Sequence, residues 1–180
     1  MTINLFPLTA EIFPRYRCGL STLLRACIEE GAALGFVFPL SEQSIEMYWD
    51  DVHAQLKQGT RWLWIATIHG ELIGGVQLEL AGKPNARHRC ELQKLLVHPL
   101  WRRKGLGSAL VSKVEHVALC RGRTLIMLDT QCASAGDRLY RNLGYTEAGH
   151  VPGFFYANDG RPDTTIIFYK HLAAPPALVA

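Results

Sequence analysis

Apolar residues fall at two different spacings along the chain, and the changes of spacing divide it into elements. Residues 3–8 form a short apolar strand pattern, after which Thr9 is placed to cap a helix with Glu11 in its first turn. Leu20, Leu23, Leu24, Cys27 and Ile28 then recur at helical spacing until Gly31 and Gly35 interrupt them. Ser41, followed by Ser44 and Glu46, opens a second helix that runs to about Gln58. Its apolar stripe is Ile45, Tyr48, Trp49, Val52 and Leu56. Arg61–Ile68 and Glu71–Leu80 read as two antiparallel strands joined at His69 and Gly70. A loop at residues 83–86 leads to a strand at residues 90–97.

A third helix follows, with Leu106, Leu110, Val114, Val117 and Ala118 on one face, and Gly122 ends it. Residues 124–130 are nearly all apolar, the pattern of a strand covered on both faces. Residues 134–143 form a short helix closed by Gly144. Strands at residues 145–151 and 164–171 complete the chain, joined by a loop at residues 152–161 that is rich in Pro, Gly, Asn and Asp. The succession β-α-α-β-β-β-α-β-α-β-β predicts an α/β (α+β) domain, a mixed sheet of about seven strands with about four helices on both faces.

A length of 180 residues favours one domain. Residues 1–172 read as that domain, and the Ala/Pro-rich residues 173–180 as a loose tail. The net charge is +3, too small and too scattered for a nucleic-acid coat but compatible with a phosphate-bearing ligand. No apolar run reaches the roughly 18 residues of a membrane span, and the first residues lack a signal-peptide pattern. Cys18, Cys27, Cys90, Cys120 and Cys132 are widely spaced and read as free thiols of a reducing compartment. The expectation is a cytoplasmic protein with no membrane and no nucleic-acid partner. The histidines do not cluster at metal-ligand spacing, so no metal site is expected.

The most informative stretch runs Val97-His98-Pro99-Leu100-Trp101-Arg102-Arg103-Lys104-Gly105-Leu106-Gly107-Ser108, out of a strand and into a helix. A helix begins with N–H groups that have no internal partner and with the positive end of its dipole. Gly105 and Gly107 let phosphates approach that backbone without a Cβ in the way. Arg102, Arg103 and Lys104 add full charges, and the whole reads as a pyrophosphate cradle. It is not a Walker loop, since no Gly-Lys-Ser/Thr is present. Nor is it a dinucleotide fingerprint, since Leu110 stands where the third glycine is required.

Arg102-x-x-Gly105-x-Gly107, with Val97-x-Pro99 before it and Leu139-Tyr140-Arg141-Asn142-Leu143-Gly144-Tyr145 after it, resembles the GNAT superfamily of N-acetyltransferases. From about Leu8 to Leu172 there is a narrower likeness to the tabtoxin-resistance acetyltransferases of that superfamily. It is carried by Tyr16-Arg17-x-Gly19-Leu20, Gly35-Phe36, Lys83-Pro84-Asn85, Glu91-x-Gln93-Lys94-Leu95, Leu128-Asp129-Thr130, Pro152-Gly153 and Asp159-Gly160-Arg161.

The resemblance implies a mostly antiparallel GNAT sheet and acetyl-CoA as cosubstrate. Coenzyme A is then held by Leu96, Val97, Arg102, Arg103, Lys104, Gly105, Leu106, Gly107 and Ser108. It implies a small-molecule amine as acceptor, an amino-acid-like toxin or antibiotic in the narrower likeness, and C-terminal strand pairing in a homodimer. It also implies that Glu91 and Asp129 accept the substrate's proton, that Tyr140 donates one to the leaving thiolate, and that an N–H within residues 96–98 binds the oxyanion. One position departs from the pattern. Ala133 stands where many members have an asparagine on the pantetheine arm, which leaves that contact to backbone near Thr130 or Ser134.

Read from the residues alone, period-two spacing puts Glu91 on one face with Gln93, Leu95 and Val97. Glu91 is then equally a cross-strand partner for Lys94 or Arg89, Asp129 a cap at a strand end, and Tyr140 a core aromatic. The acceptor side is expected at residues 31–40, the second helix and residues 152–161, with Phe36, Phe38, Phe154, Phe155 and Tyr156 as apolar walls. Glu42, Glu46, Asp50 and Asp51 read as the solvated face of a helix more readily than as an amine trap. Polyamines, amino acids or protein amines as acceptors, and a non-catalytic acyl-CoA sensor, stay open at this point.

Overall fold

In the computed structural model, which describes residues 2–36, 39–157 and 159–172, seven strands form one sheet in the order β1-β2-β3-β4-β5-β7-β6. These are β1 (Asn4–Pro7), β2 (Arg61–Ile68), β3 (Glu71–Leu80), β4 (Arg89–Val97), β5 (Leu125–Gln131), β6 (Thr146–Tyr156) and β7 (Pro162–His171). The helices are α1 (Phe13–Glu29), α2 (Glu42–Gln58), α3 (Leu106–Cys120) and α4 (Ala135–Asn142). Every strand pair is antiparallel except β4–β5. The mixed, mostly antiparallel sheet is as expected. Phe38 and the tail at residues 173–180 lie outside the described residues.

Two cores flank the sheet. Leu20, Leu23, Leu24 and Ile28 of α1 join Ile45, Trp49 and Val52 of α2 against Leu63, Ile65 and Leu96. On the other face, Leu106, Leu110, Val114 and Ala118 of α3 and Tyr140 of α4 pack on Val76, Leu92, Ile126, Leu128, Ile166 and Phe168. The helical stripes are those of the sequence, because burial of an amphipathic face is what stabilises such helices.

Four details differ from the sequence reading. Thr9 does not cap α1 through its side chain: its carbonyl accepts from Phe13 N at 3.0 Å, and Pro14 sits in the first turn. By contrast, Ser41 caps α2 as expected, its hydroxyl accepting from Ser44 N at 3.1 Å. The apolar run of β5 is covered on one face only. Ile126 and Leu128 are buried against α3's core, while Asp129 is exposed, because α1 and α2 cover only the other half of the sheet. Pro152 and Gly153 lie inside β6 rather than in a loop. β6 is an edge strand, and its register shifts between Val151 and Phe155, so a proline costs no ladder hydrogen bond there.

The fourth difference matters most for function. Gln93 pairs with Gln77, but Leu96 pairs with Gly75, so three steps along β4 match two along β3. This bulge contains Lys94 at φ 47°, a left-handed conformation uncommon for lysine. An extra residue reverses the alternation. Glu91, Gln93 and Leu96 share the face of α1 and α2, whereas Leu92, Leu95 and Val97 turn toward α3. The period-two grouping of Glu91 with Leu95 and Val97 therefore fails at Lys94.

Helix α3 packs tightly on β3. A Cβ on Gly74 would lie 3.0 Å from Leu110 Cδ1, 3.1 Å from the Leu96 carbonyl oxygen and 3.2 Å from Leu106 Cδ2. Gly74→Ala is expected to lower stability by about 1–3 kcal/mol, because a backbone oxygen cannot move aside. Gly82→Ala, where a Cβ meets nothing within 4 Å, should stay within about 0.5 kcal/mol of the parent. Paired thermal melts check both.

All five cysteines are free; Cys18 and Cys120 are exposed, Cys27 and Cys90 buried. Burial pushes the Cys27 thiol up, and the Cys90 thiol up to about 11. In native protein a thiol reagent should label Cys18 and Cys120 within minutes and leave Cys27 and Cys90 unmodified until denaturant is added, a pattern read by peptide mass mapping.

Candidate active site

The parallel pairing of β4 with β5 ends at Glu91 and Met127. Beyond it the strands part: β4 continues beside β3 through its bulge, and β5 pairs with β7 on its other side. The gap between them is the centre of the candidate site. His98 N donates to the Ile73 carbonyl on β3 at 2.9 Å, so by strand alternation Val97 turns its N–H and C=O the other way, into the gap. The Val97 carbonyl accepts from Arg102 Nε at 3.4 Å and from Cys27 Sγ at 3.5 Å. By the same alternation the Val97 N–H points away from β3, at a level where β4 is no longer paired with β5.

The glycine-rich turn leads from this gap to α3. Gly105 caps α3 at φ 81°, a left-handed position that favours glycine on conformation alone, since a Cβ there would touch nothing within 4 Å. Gly107 is different. A Cβ there would make ordinary van der Waals contact, with Leu139 Cδ2 at 3.4 Å and Val97 Cγ2 at 3.8 Å, so packing alone does not demand a glycine. No side chain caps the helix, and its first backbone bond runs from Ala109 N to the Gly105 carbonyl at 3.0 Å. The N–H groups of Leu106, Gly107 and Ser108 therefore face outward at the positive end of a 15-residue helix. Arg103 and Lys104 are exposed beside them, with Lys104 Nζ 4.8 Å from the centre of the Trp101 ring. Arg102 instead turns back onto β4, with Glu30 at 3.9 Å. The side chain of Leu96 is buried in the α1–α2 core, so only its backbone can face a ligand. This arrangement fits a diphosphate, because it offers a row of helix-start amide donors without partners among the described residues and two exposed cations beside them.

Glu91 and Asp129 lie on the same face of the sheet, one on each side of the gap. Gln93 Nε2 donates to Glu91 Oε1 at 3.0 Å, and Thr165 Oγ1 donates to Asp129 Oδ2 at 3.0 Å. Tyr140 is almost fully buried, edge-on to Tyr145 at 5.4 Å between ring centres. Burial, aided by the negative charge of Asp129, holds the Tyr140 phenol well above its usual range. It remains a proton donor across the physiological range. The core-aromatic and proton-donor readings of Tyr140 are thus compatible. Ala133 sits at φ 57° and is bracketed by hydrogen bonds: its N–H donates to Asp137 Oδ2 and its carbonyl accepts from Arg138, both at 3.1 Å.

Two features escaped the sequence reading. Arg61 is buried and reaches Gln77 Oε1 at 2.6 Å, Glu79 Oε2 at 2.8 Å and Gln93 Oε1 at 3.0 Å. Gln77 in turn donates to the Tyr48 hydroxyl at 2.7 Å, and burial pushes that phenol up. The network fixes Gln93, and through it Glu91. Its only sequence signal was polar residues on β2, β3 and β4 at positions that otherwise read as core. The second feature is Lys94. Burial lowers its pKa, with the Arg61 charge acting the same way, while Asp129 and Glu91 oppose both.

The acceptor side is only partly as expected. Leu34, Gly35 and Phe36 face α2 across a cleft of about 690 Å³, with Tyr48 and Lys94 at its floor. Phe154, Phe155 and Tyr156 do not line it, since they lie on β6 at the far edge of the sheet. The acids of α2 are taken up elsewhere: Arg17 holds Glu46 and Asp50, each at 2.6 Å, Arg25 holds Glu42, and Gln55 donates to Asp51 at 2.7 Å. They form a helix-helix seam and a solvated face, as the sequence favoured. Among the described residues, no three of His, Cys, Asp and Glu gather as metal ligands. Nor is any helix there long and apolar enough to cross a membrane.

Comparison with known proteins agrees with this geometry. Residues 36–145 match the model of the Acetyltransferase (GNAT) family. N-acetylaspartate synthetase of Homo sapiens is 25% identical over 138 residues, covering 71% of this chain and 45% of that protein. Its Xenopus tropicalis counterpart is 30% identical over 97 residues, covering 53% and 35%. The chain thus spans less than half the length of these curated relatives. Among solved structures, yncA from Salmonella typhimurium with its cofactor acetyl-CoA superposes at a TM-score of 0.77, with 17% identity and coverage of 98% and 99%. Ribosomal-protein-alanine N-acetyltransferase from Brucella melitensis gives 0.76, with 18% identity and coverage of 94% and 99%. At such identities the structures speak for the fold alone, whereas the family model covers more than half of the sequence, cradle and parted strands included, and by it the chain belongs to the acetyltransferase (GNAT) family.

Proposed function

We propose that this chain, with residues 1–172 as one catalytic domain, transfers the acetyl group of acetyl-CoA to a primary amine of a small molecule by direct attack, without an acyl-enzyme. The observation that carries the reading is the gap between β4 and β5. An uncapped α3, the Val97 N–H and the acids Glu91 and Asp129 all open onto it.

The diphosphate of coenzyme A would lie on the N–H groups of Leu106, Gly107 and Ser108, with Arg103 and Lys104 beside it. Arg102 holds the end of β4 in place. The Leu96–Val97 backbone would flank the pantetheine arm. When bound, acetyl-CoA supplies an activated acetyl carbonyl and a thiolate leaving group. Glu91 and Asp129 take the proton that the acceptor ammonium must lose, directly or through water. The Val97 N–H donates to the oxygen on which negative charge develops. Tyr140, kept protonated by its surroundings, gives a proton to the sulfur. Cys27 is within hydrogen-bond reach of the Val97 carbonyl, but its burial keeps it a thiol, which argues against thiol-mediated transfer.

The likeness to tabtoxin-resistance enzymes supports an amino-acid-like toxin, such as a tabtoxinine-type β-lactam, as acceptor and antibiotic resistance as the role. Free thiols suit a cytoplasmic site. The unpaired edge of β6 is where a second copy would add its strand in a homodimer.

Calorimetry should register coenzyme A binding, and Gly105→Val should weaken it. Silence from the folded protein would overturn the reading. Glu91→Gln and Asp129→Asn should each lower kcat by about 10²–10⁴-fold, and Tyr140→Phe by about 10²-fold, with acetyl-CoA affinity kept. A non-catalytic sensor would show no turnover to lose. Cys132→Ala should leave turnover intact; loss of activity with the fold preserved would argue for a thiol intermediate.

A further inference from the structure

The acetyl-transfer reading leaves the acceptor open among toxins, amino acids, polyamines and protein amines, and Lys94 bears on that choice. Its bulge aims the side chain into the 690 Å³ cleft beside Gly35, Phe36, Ser41, Ser44 and Tyr48. The Nζ lies 5.8 Å from the centre of the Tyr48 ring and 3.7 Å from where a Cβ on Gly35 would be. Among the described residues, no carboxylate comes within 4.0 Å of it. Glu91 and Asp129 act on it only through space; Glu42, Glu46 and Asp50 of α2 are bound by arginines of α1, and Asp51, one turn beyond Tyr48, accepts from Gln55 and makes no ion pair with Lys94. A half-buried ammonium without a contacting counter-charge is unfavourable, and an anion in the cleft would relieve it. Among the described residues, the Ser41 hydroxyl donates to no acceptor, its oxygen accepting from Ser44 N.

Charge is therefore divided across the site. Acids flank the gap where the amine must lose its proton, and a cation stands at the floor of the adjoining cleft. A small molecule carrying an amine and a carboxylate matches both halves. A diamine would set its second ammonium against Lys94. We propose that Lys94 is the specificity-determining residue that binds the carboxylate of an amino-acid-like acceptor and rejects polyamines. The inference rests on the acetyl-transfer reading and narrows its substrate class.

The test uses matched pairs that differ only in the carboxylate, such as lysine with cadaverine and tyrosine with tyramine, with acetyl-CoA saturating. Wild-type kcat/KM should favour the carboxylate-bearing member of the productive pair by about 10–100-fold, the range of a charge-assisted hydrogen bond. Lys94→Met should abolish that preference chiefly through KM, and Lys94→Arg should keep most of it. Lys94→Gln replaces the methionine variant should that fail to fold by circular dichroism. Equal use of both members by the wild type, or a preference that survives loss of the ammonium, would overturn the inference while leaving acetyl transfer standing. Absence of coenzyme A binding would overturn the acetyl-transfer reading, and this inference with it.

Discussion

The parting of β4 from β5 after Glu91 is the constraint on which the rest of the site depends. A continuous parallel pair would bond the Val97 amide to β5 and close the gap. Instead one extra residue in β4, centred on Lys94, bends the strand away while β3 keeps pairing with it through the shift. The cost is a lysine in a left-handed conformation, about 1–2 kcal/mol by its sterics. Three consequences come together. A backbone donor is freed beside the cradle, the faces of residues 95–97 are exchanged, and a cation is pushed into the acceptor cleft.

Around that bulge the charges are sorted by neighbouring elements. The arginines of α1 hold Glu42, Glu46 and Asp50 on the side of α2 away from the cleft, and Gln55 bonds Asp51. Arg61, buried among Gln77, Glu79 and Gln93, fixes the side chain that bonds Glu91. Thr165 on β7 does the same for Asp129. Each acid is therefore oriented by a hydrogen bond from a packed strand, and neither forms an ion pair with Lys94, although both act on the lysine through space.

The cradle shows how one motif can serve two physical ends. Gly105 is favoured by its left-handed backbone, whereas at Gly107 a Cβ would make only ordinary contact with Leu139 and Val97, which leaves the bare backbone there to face a ligand. Arg102 stands in the motif's first position yet braces β4, and the exposed charge comes from Arg103 and Lys104. The motif thus braces the end of β4 as well as shaping the turn that faces a ligand.

Apolar spacing together with capping residues and glycine stops placed all four helices and the second and third strands, because burial of an apolar face and the ends of an element follow directly from residue order. The backbone of the cradle was equally legible, since a glycine-rich turn into a helix specifies its own conformation, whereas Glu91, Asp129 and Tyr140 stood out only through the family resemblance. The bulge was not, because Gln93-Lys94-Leu95 contains no glycine, proline or asparagine to announce a left-handed residue. The one-sided cover of β5 and the run of β6 through Pro152 were hidden for a similar reason: each depends on which neighbour a strand finds across the sheet. Pairing register and the convergence of charges are relations between segments distant in the chain. Only the tertiary structure could decide that Lys94 faces the cleft and that Arg61 stands behind Glu91.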